Sequence, residues 1–201
     1  MLLMIAGLVL FIASHLLPSA TGLRDGLKTR FGEGPYKIAF SLVSLVAIVA
    51  IAYGFGIWKY QEGAAILYVP PVFLRHIALL LMLIAFILLA AMYGRSHLRK
   101  AVKHPMLTGV KTWALAHLLA NGDAAGVTLF GSLLVWAVVD RILVKRRERA
   151  GLVEPLTYEP RWRADLVAVA VGTIVYVLFV WKVHLWLIGV SPIALAQQTA
   201  L

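Results

Sequence analysis

Six apolar runs, each close to the roughly 20 residues that cross a bilayer, alternate with short polar stretches along the chain. They extend from about Met1 to Leu17, Tyr36 to Trp58, Val72 to Tyr93, Met106 to Ala120, Ala124 to Val144 and Asp165 to Gly189. Continuous apolar runs of this length predict helices, because only a helix or a closed barrel pairs every backbone group internally in lipid. The fold class is therefore all-α, an integral membrane bundle of about six transmembrane helices forming a single domain over residues 1–201. The first run has no basic residue ahead of it and no small-residue cleavage site, so it reads as a retained helix and not as a signal peptide. The fourth run is the shortest, and 'NGD' at Asn121 to Asp123 joins it to the fifth by a tight turn, which predicts an antiparallel helix hairpin.

Composition agrees with this pattern. Of 201 residues, 62% are hydrophobic and 14% charged, and the mean hydropathy is +0.89. The formal charge of +10 does not point to nucleic acid, because the basic residues sit in short loops between apolar runs. Arg24, Lys28 and Arg30 follow the first run, Arg95, Arg99, Lys100 and Lys103 the third, and 'DRILVKRRERAG' with 'RWR' the fifth. The intervening loops carry few bases. The positive-inside rule then puts the basic loops in the cytoplasm and both termini outside, in the periplasm. The run 'KRRER' is an anchor for anionic lipid. Absence of cysteine excludes disulfides, thiolate metal sites and cysteine nucleophiles. There is no P-loop, no GxGxxG and no HExxH pattern.

What stands out is 'KHPMLTGVKTWALAHLLANGD', which carries two imidazoles, a lysine and an amide through a membrane-length run. Pro105 favours the first helical turn and sets His104 at the helix mouth. Trp113, His117 and Asn121 recur every four residues and form one polar stripe. His117 follows His104 by 13 positions, about 20 Å along a helix, so these two do not grip one atom. The predicted topology gives an inner group, His15 and His104 with His97 in the loop beside them, and an outer group, His76, His117 and His184. Histidine is the commonest metal ligand, and imidazoles from two helices are a usual way to hold haem iron. A bare metal ion would lack intramembrane carboxylates to neutralise it, whereas haem brings its own porphyrin charge and an apolar body. A packed, hydrogen-bonded histidine is the plain alternative at every one of these positions. Asp123 reads as a turn former, and Asp140 and Asp165 as solvated ion partners of neighbouring arginines.

The segments 'HPMLTGVKTWALAHLLANGDAAGVTLFGSLLVWAVVDR', 'FGEGPYKIAFSLVSL', 'RHIALLLMLIAFILLAA' and 'HLWLIGVSP' together resemble the bacterial NnrU family over nearly the whole chain. That family is associated with nitric oxide and denitrification metabolism. Related plant zeta-carotene isomerases are membrane proteins with haem b. By this resemblance His15, in 'ASHLLPS', and His104, in 'KHP', are the expected axial ligands and His117, in 'LAH', a further matched residue, while the stripe of Trp113, His117 and Asn121 is expected to line the buried cofactor site. The isomerases continue 'HSG' where this chain has 'HLL', and carry arginine where it has Lys103. The resemblance implies haem b as cofactor, the bacterial inner membrane as location, the lipid bilayer as surroundings, and nitric oxide or an apolar polyene as ligand. A homo-oligomer or a reductase partner is open at this point. So is a second haem or metal site at His76, His117 and His184. Three functions follow: a haem redox protein, a haem-dependent polyene isomerase, and a non-catalytic membrane partner of a nitrogen-oxide reductase.

Overall fold

The computed structural model describes residues 1–153 and 156–193. Its helices fall where the apolar runs predict. They are α1 (Leu2–Leu16), α3 (Glu33–Gly56), α4 (Phe73–Ala91), α6 (Pro105–Ala120), α7 (Ala124–Arg149) and α8 (Trp162–Leu178). A 3-10 turn, Leu17–Ser19, lengthens α1. Single π-helical turns extend α3 through Ile57–Gln61 and α8 through Phe179–Val183, after which α9 (His184–Ile188) completes the last helix. Two helices were not expected. They are α2 (Thr21–Phe31) and α5 (His97–Val102), both in basic segments that read as loops.

Five helices are long and apolar enough to cross a membrane: Leu2–Ser19, Glu33–Gln61, Phe73–Ala91, Ala124–Arg149 and Trp162–Ile188. The sixth, α6, has 16 residues, about 24 Å of helix against a hydrocarbon thickness near 30 Å. Five of the six expected spans therefore reach membrane length. The shorter helix is flanked on both sides by longer ones, α4 and α7.

Packing contacts order the helices α3, α1, α7, α6, α4, α8 across the bundle. Lipid tails are as apolar as the helices, so association rests on close approach and not on expulsion of water. Small residues provide that approach. A side chain at Gly7 would meet the Ala47 carbonyl and Ile51, and one at Gly172 would meet the Ile87 backbone. The core joins Met4, Leu8, Ile51, Ala114, Leu129 and Phe130 near one end, and Leu107, Trp136, Ala137 and Val144 near the other. Leu42, Val46 and Val49 on α3 and Leu166, Val169 and Ile174 on α8 face outward, an apolar surface matched to lipid.

One end of the bundle is fastened by the segment between α3 and α4. The Leu67 and Tyr68 amides donate to the Gly122 carbonyl at 2.8 and 3.2 Å, and the Ala124 amide donates to the Ala65 carbonyl at 2.8 Å. The Tyr68 hydroxyl donates to the Leu118 and Asn121 carbonyls. Asp123 does more than form a turn. It caps α7 by accepting from the Gly126 amide at 2.8 Å and pairs with Lys59 at 2.8 Å. At the opposite end the basic loops gather. There Asp165 is buried, not solvated. It accepts from the His97 and Leu98 amides at 3.1 and 3.0 Å and bonds His97 Nδ1 at 2.7 Å. His97 therefore begins α5 as a structural residue, stacked on Trp162.

Candidate functional site

Two groups of histidines form, one at each end. At the basic end, His15 sits in the last turn of α1, and its Nδ1–H donates to the Phe11 carbonyl at 2.9 Å. The ring stacks on Phe11 with centroids 3.9 Å apart, lies 5.2 Å from Phe40, and meets Trp136 of α7 edge-on at 5.6 Å. With Nδ1 committed to a carbonyl, the neutral ring has its lone pair at Nε2, which is how most metal-bound histidines are held.

His104 stands at the N-cap of α6 with Pro105 in the first turn, as the sequence predicts. Its Nε2 bonds Glu148 at 2.5 Å, and Glu148 also faces Arg141 at 3.6 Å. Asp140 lies within electrostatic reach of both His15 and His104. α7 thus brings the two inner histidines around one stretch, although neither touches the other directly. The same stretch has a surplus of donors. Trp136 Nε1 and Arg147 Nε are buried without a hydrogen-bond partner, Arg141 Nη1 has only the ion pair with Glu148, and Arg147 Nη1 donates to the Pro18 carbonyl at the end of α1 at 3.1 Å. Unpaired buried donors cost about 1–3 kcal/mol each, more when charged, so this end is electrostatically ready for an anionic group.

At the other end, Trp113, His117 and Asn121 do form one stripe. The Trp113 and His117 rings are 5.1 Å apart, and His117 stacks on Phe130 of α7 at 4.3 Å. His117 Nδ1–H donates to the Trp113 carbonyl at 2.9 Å, and the Asn121 amide donates to the His117 carbonyl at 2.9 Å. Trp113 packs into the core. His117 and Asn121 instead line a cavity of about 430 Å³ between α4, α6 and the last helix, and His184 lines it from the far wall. His76 does not join them; it is exposed on α4. No group of three or more metal-ligating side chains forms among the described residues.

The charged residues that sequence reasoning passed over are Lys59, Glu148 and Arg147. Arg147 and Glu148 lie in the 'KRRER' run that reads as a lipid anchor, Lys59 lies in a short loop, and each becomes significant only through a partner 129, 44 or 64 positions away.

His15 and His104 come from different helices, each with one ring nitrogen outside the hydrogen bonds described, and the unpaired Trp136 and Arg147 donors lie on the helix between them. No curated protein and no solved structure matches the chain. The family model described as NnrU protein matches residues 3–192, nearly the entire length, and the chain belongs to the NnrU family.

Proposed function

We propose that this is a haem b-binding protein of the bacterial cytoplasmic membrane, in which the inner histidines hold the iron in the service of nitric oxide or denitrification metabolism. The basic end faces the cytoplasm, both termini face outward, and α6 completes the set of six crossings between its longer neighbours. The observation that carries this reading is the surplus of buried, unpaired donors on α7 beside two histidines of separate helices. A haem there would supply a redox-active Lewis acid able to take nitric oxide as a ligand.

The residues of this chain have distinct tasks in that arrangement. His15 offers Nε2, oriented by the Phe11 carbonyl. With Nε2 held by Glu148, His104 offers Nδ1, and Glu148 fixes its ring direction and basicity. Arg147, with an unpaired Nε, would hold an anionic arm of the group. Phe11, Phe40 and Trp136 exclude water from the ring of His15. A second reading, a haem-dependent polyene isomerase, is favoured by an apolar groove of about 410 Å³ lined by Ser14, Leu17, Phe31, Tyr36, Phe40 and Val43, which runs past the His15 helix turn.

The deciding experiment is a visible spectrum of the detergent-purified protein, expressed with sufficient haem, in oxidised and dithionite-reduced forms. A Soret band that shifts on reduction is expected, with haem content falling at least tenfold in His15→Ala and partly in Arg147→Gln. A colourless wild type would remove the redox and isomerase readings together and leave the reductase-partner role. Turnover of a cis-polyene by the reduced protein would select the isomerase.

A further inference from the structure

The cavity at the opposite end is not absorbed by that reading. Its walls are apolar, with Leu79, Met82, Phe86 and Phe179 prominent, and its polar groups are few: Arg75, His117, Asn121, Tyr176, His184 and Ser191. A cavity of about 430 Å³ falls within the range that takes a small organic ligand. The π-helical turn Phe179–Val183 forms part of the wall and delivers His184 to it. Such turns are rare and are frequent at functional sites.

The hydrogen bonds around the cavity define what it would accept. His117 Nδ1–H donates to the Trp113 carbonyl at 2.9 Å, and His184 Nδ1–H donates to the Val190 carbonyl at 2.6 Å. In the neutral rings both Nε2 atoms are therefore acceptors. Two histidine acceptors call for O–H donors or for a metal. A bare cation is disfavoured, because no carboxylate lines the cavity and the Arg75 guanidinium, which makes no ion pair with a described residue, does. Arg75 is instead suited to an oxygen lone pair. The complementary ligand has hydroxyl donors, oxygen acceptors and a flat apolar body that packs on Phe86 and Phe179. Its walls belong to α4 and α8, whose outward faces are apolar, which suits a ligand that partitions into lipid.

We propose that the outer cavity binds a membrane-soluble quinol, whose two hydroxyls donate to the Nε2 atoms of His117 and His184 while its ring lies among the apolar side chains. This assignment does not depend on haem at the inner site. A lipid alcohol would offer one such donor, and an oxidised quinone none.

The test is calorimetric titration of the full chain in lipid nanodiscs, against empty nanodiscs, with a decyl-substituted benzoquinol under anaerobic reducing conditions. Its dimethyl ether and the oxidised quinone serve as probes of the same shape. Quinol binding that exceeds either analogue is expected, reduced about three- to tenfold by His117→Phe or His184→Phe, the loss of one hydrogen bond, and abolished by Leu79→Trp, which fills the cavity. Circular dichroism confirms that each variant is folded; if Leu79→Trp fails to fold, the two histidine variants decide. Equal binding of quinol and ether, or quinol binding unchanged in both histidine variants, would overturn the assignment. So would preference for a long-chain monohydric alcohol, tight stoichiometric Zn2+ binding lost in His117→Phe, or loss of haem from both histidine variants with none lost from His15→Ala.

Discussion

Replacing Asp123 by alanine is expected to destabilise the protein by about 3–5 kcal/mol, the usual cost of removing one partner of a buried ion pair. The side chain is 10% exposed and serves three elements at once. It pairs with Lys59 at the end of α3, caps α7 through the Gly126 amide, and belongs to the residue bridged to Ile66 in the loop before α4. Alanine leaves the Lys59 ammonium partly buried without its counterion and the first turn of α7 uncapped. Asp123→Asn separates the two contributions: it retains a capping oxygen and loses the charge, so it should recover about 1 kcal/mol. Titration with SDS from mixed micelles, followed by circular dichroism, measures both. A shift in Asp123→Ala no larger than that of an exposed control such as Asp25→Ala would show that the pair contributes nothing.

The same residue sets a pH dependence. Burial pushes the Asp123 carboxyl up, but the Lys59 ammonium and the Gly126 amide outweigh it and hold it below the usual carboxylate range. A carboxyl whose folded pKa is depressed contributes its stability above the unfolded value, near 3.9, and loses it as pH falls through the folded value. The wild type should thus lose stability progressively below about pH 4, with a smaller loss over that range in Asp123→Asn. Equal acid sensitivity of the two proteins would contradict the assignment.

The second large effect concerns two glycines of α3, two positions apart. An added Cβ at Gly54 would lie 2.8 Å from Met4 Cα and 3.0 Å from the Leu3 carbonyl carbon, whereas one at Gly56 would meet nothing within 4 Å. Backbone cannot rotate away as a side chain can. Gly54→Ala should force α1 off α3 and cost about 1–3 kcal/mol or more. Gly56→Ala should be neutral or raise stability by up to about 1 kcal/mol, since alanine loses less backbone freedom in a helix. Equal behaviour of the two variants in the SDS titration would show that α1 and α3 are not in backbone contact. Deeper consequences follow for function, because α1 also carries His15.

Apolar run length placed every membrane-length helix to within a few residues, since in lipid the backbone has little choice. Three kinds of information were not legible. Helix α2 is missed because 'TGLRDGLKTR' has two glycines and four charged residues, and its helicity is supported by docking on α3. Azimuth is missed as well: depth along a span groups His76 with His117 and His184, yet His76 turns outward while the other two line a cavity. Pairing across the chain is the third. The neighbours of His97 look like solvent in sequence, but Asp165, 68 positions on, closes over it. What was legible at the sites is the local part: Pro105 placing His104 at a helix mouth, the four-residue stripe from Trp113 to Asn121, and the turn at Asp123.

The two π-helical turns, at Ile57–Gln61 and Phe179–Val183, give the ends of their helices a reserve of length. A π turn holds one residue more than an α turn occupies, so losing that residue converts π to α without swinging the remainder of the helix. Lys59 and the approach to His184 both fall in such segments. Single-residue deletions there should therefore be tolerated as changes of reach and not of direction. A deletion in the middle of α7, where no spare residue is stored, would rotate everything beyond it by about 100° and carry Arg141, Arg147 and Glu148 away from the inner histidines.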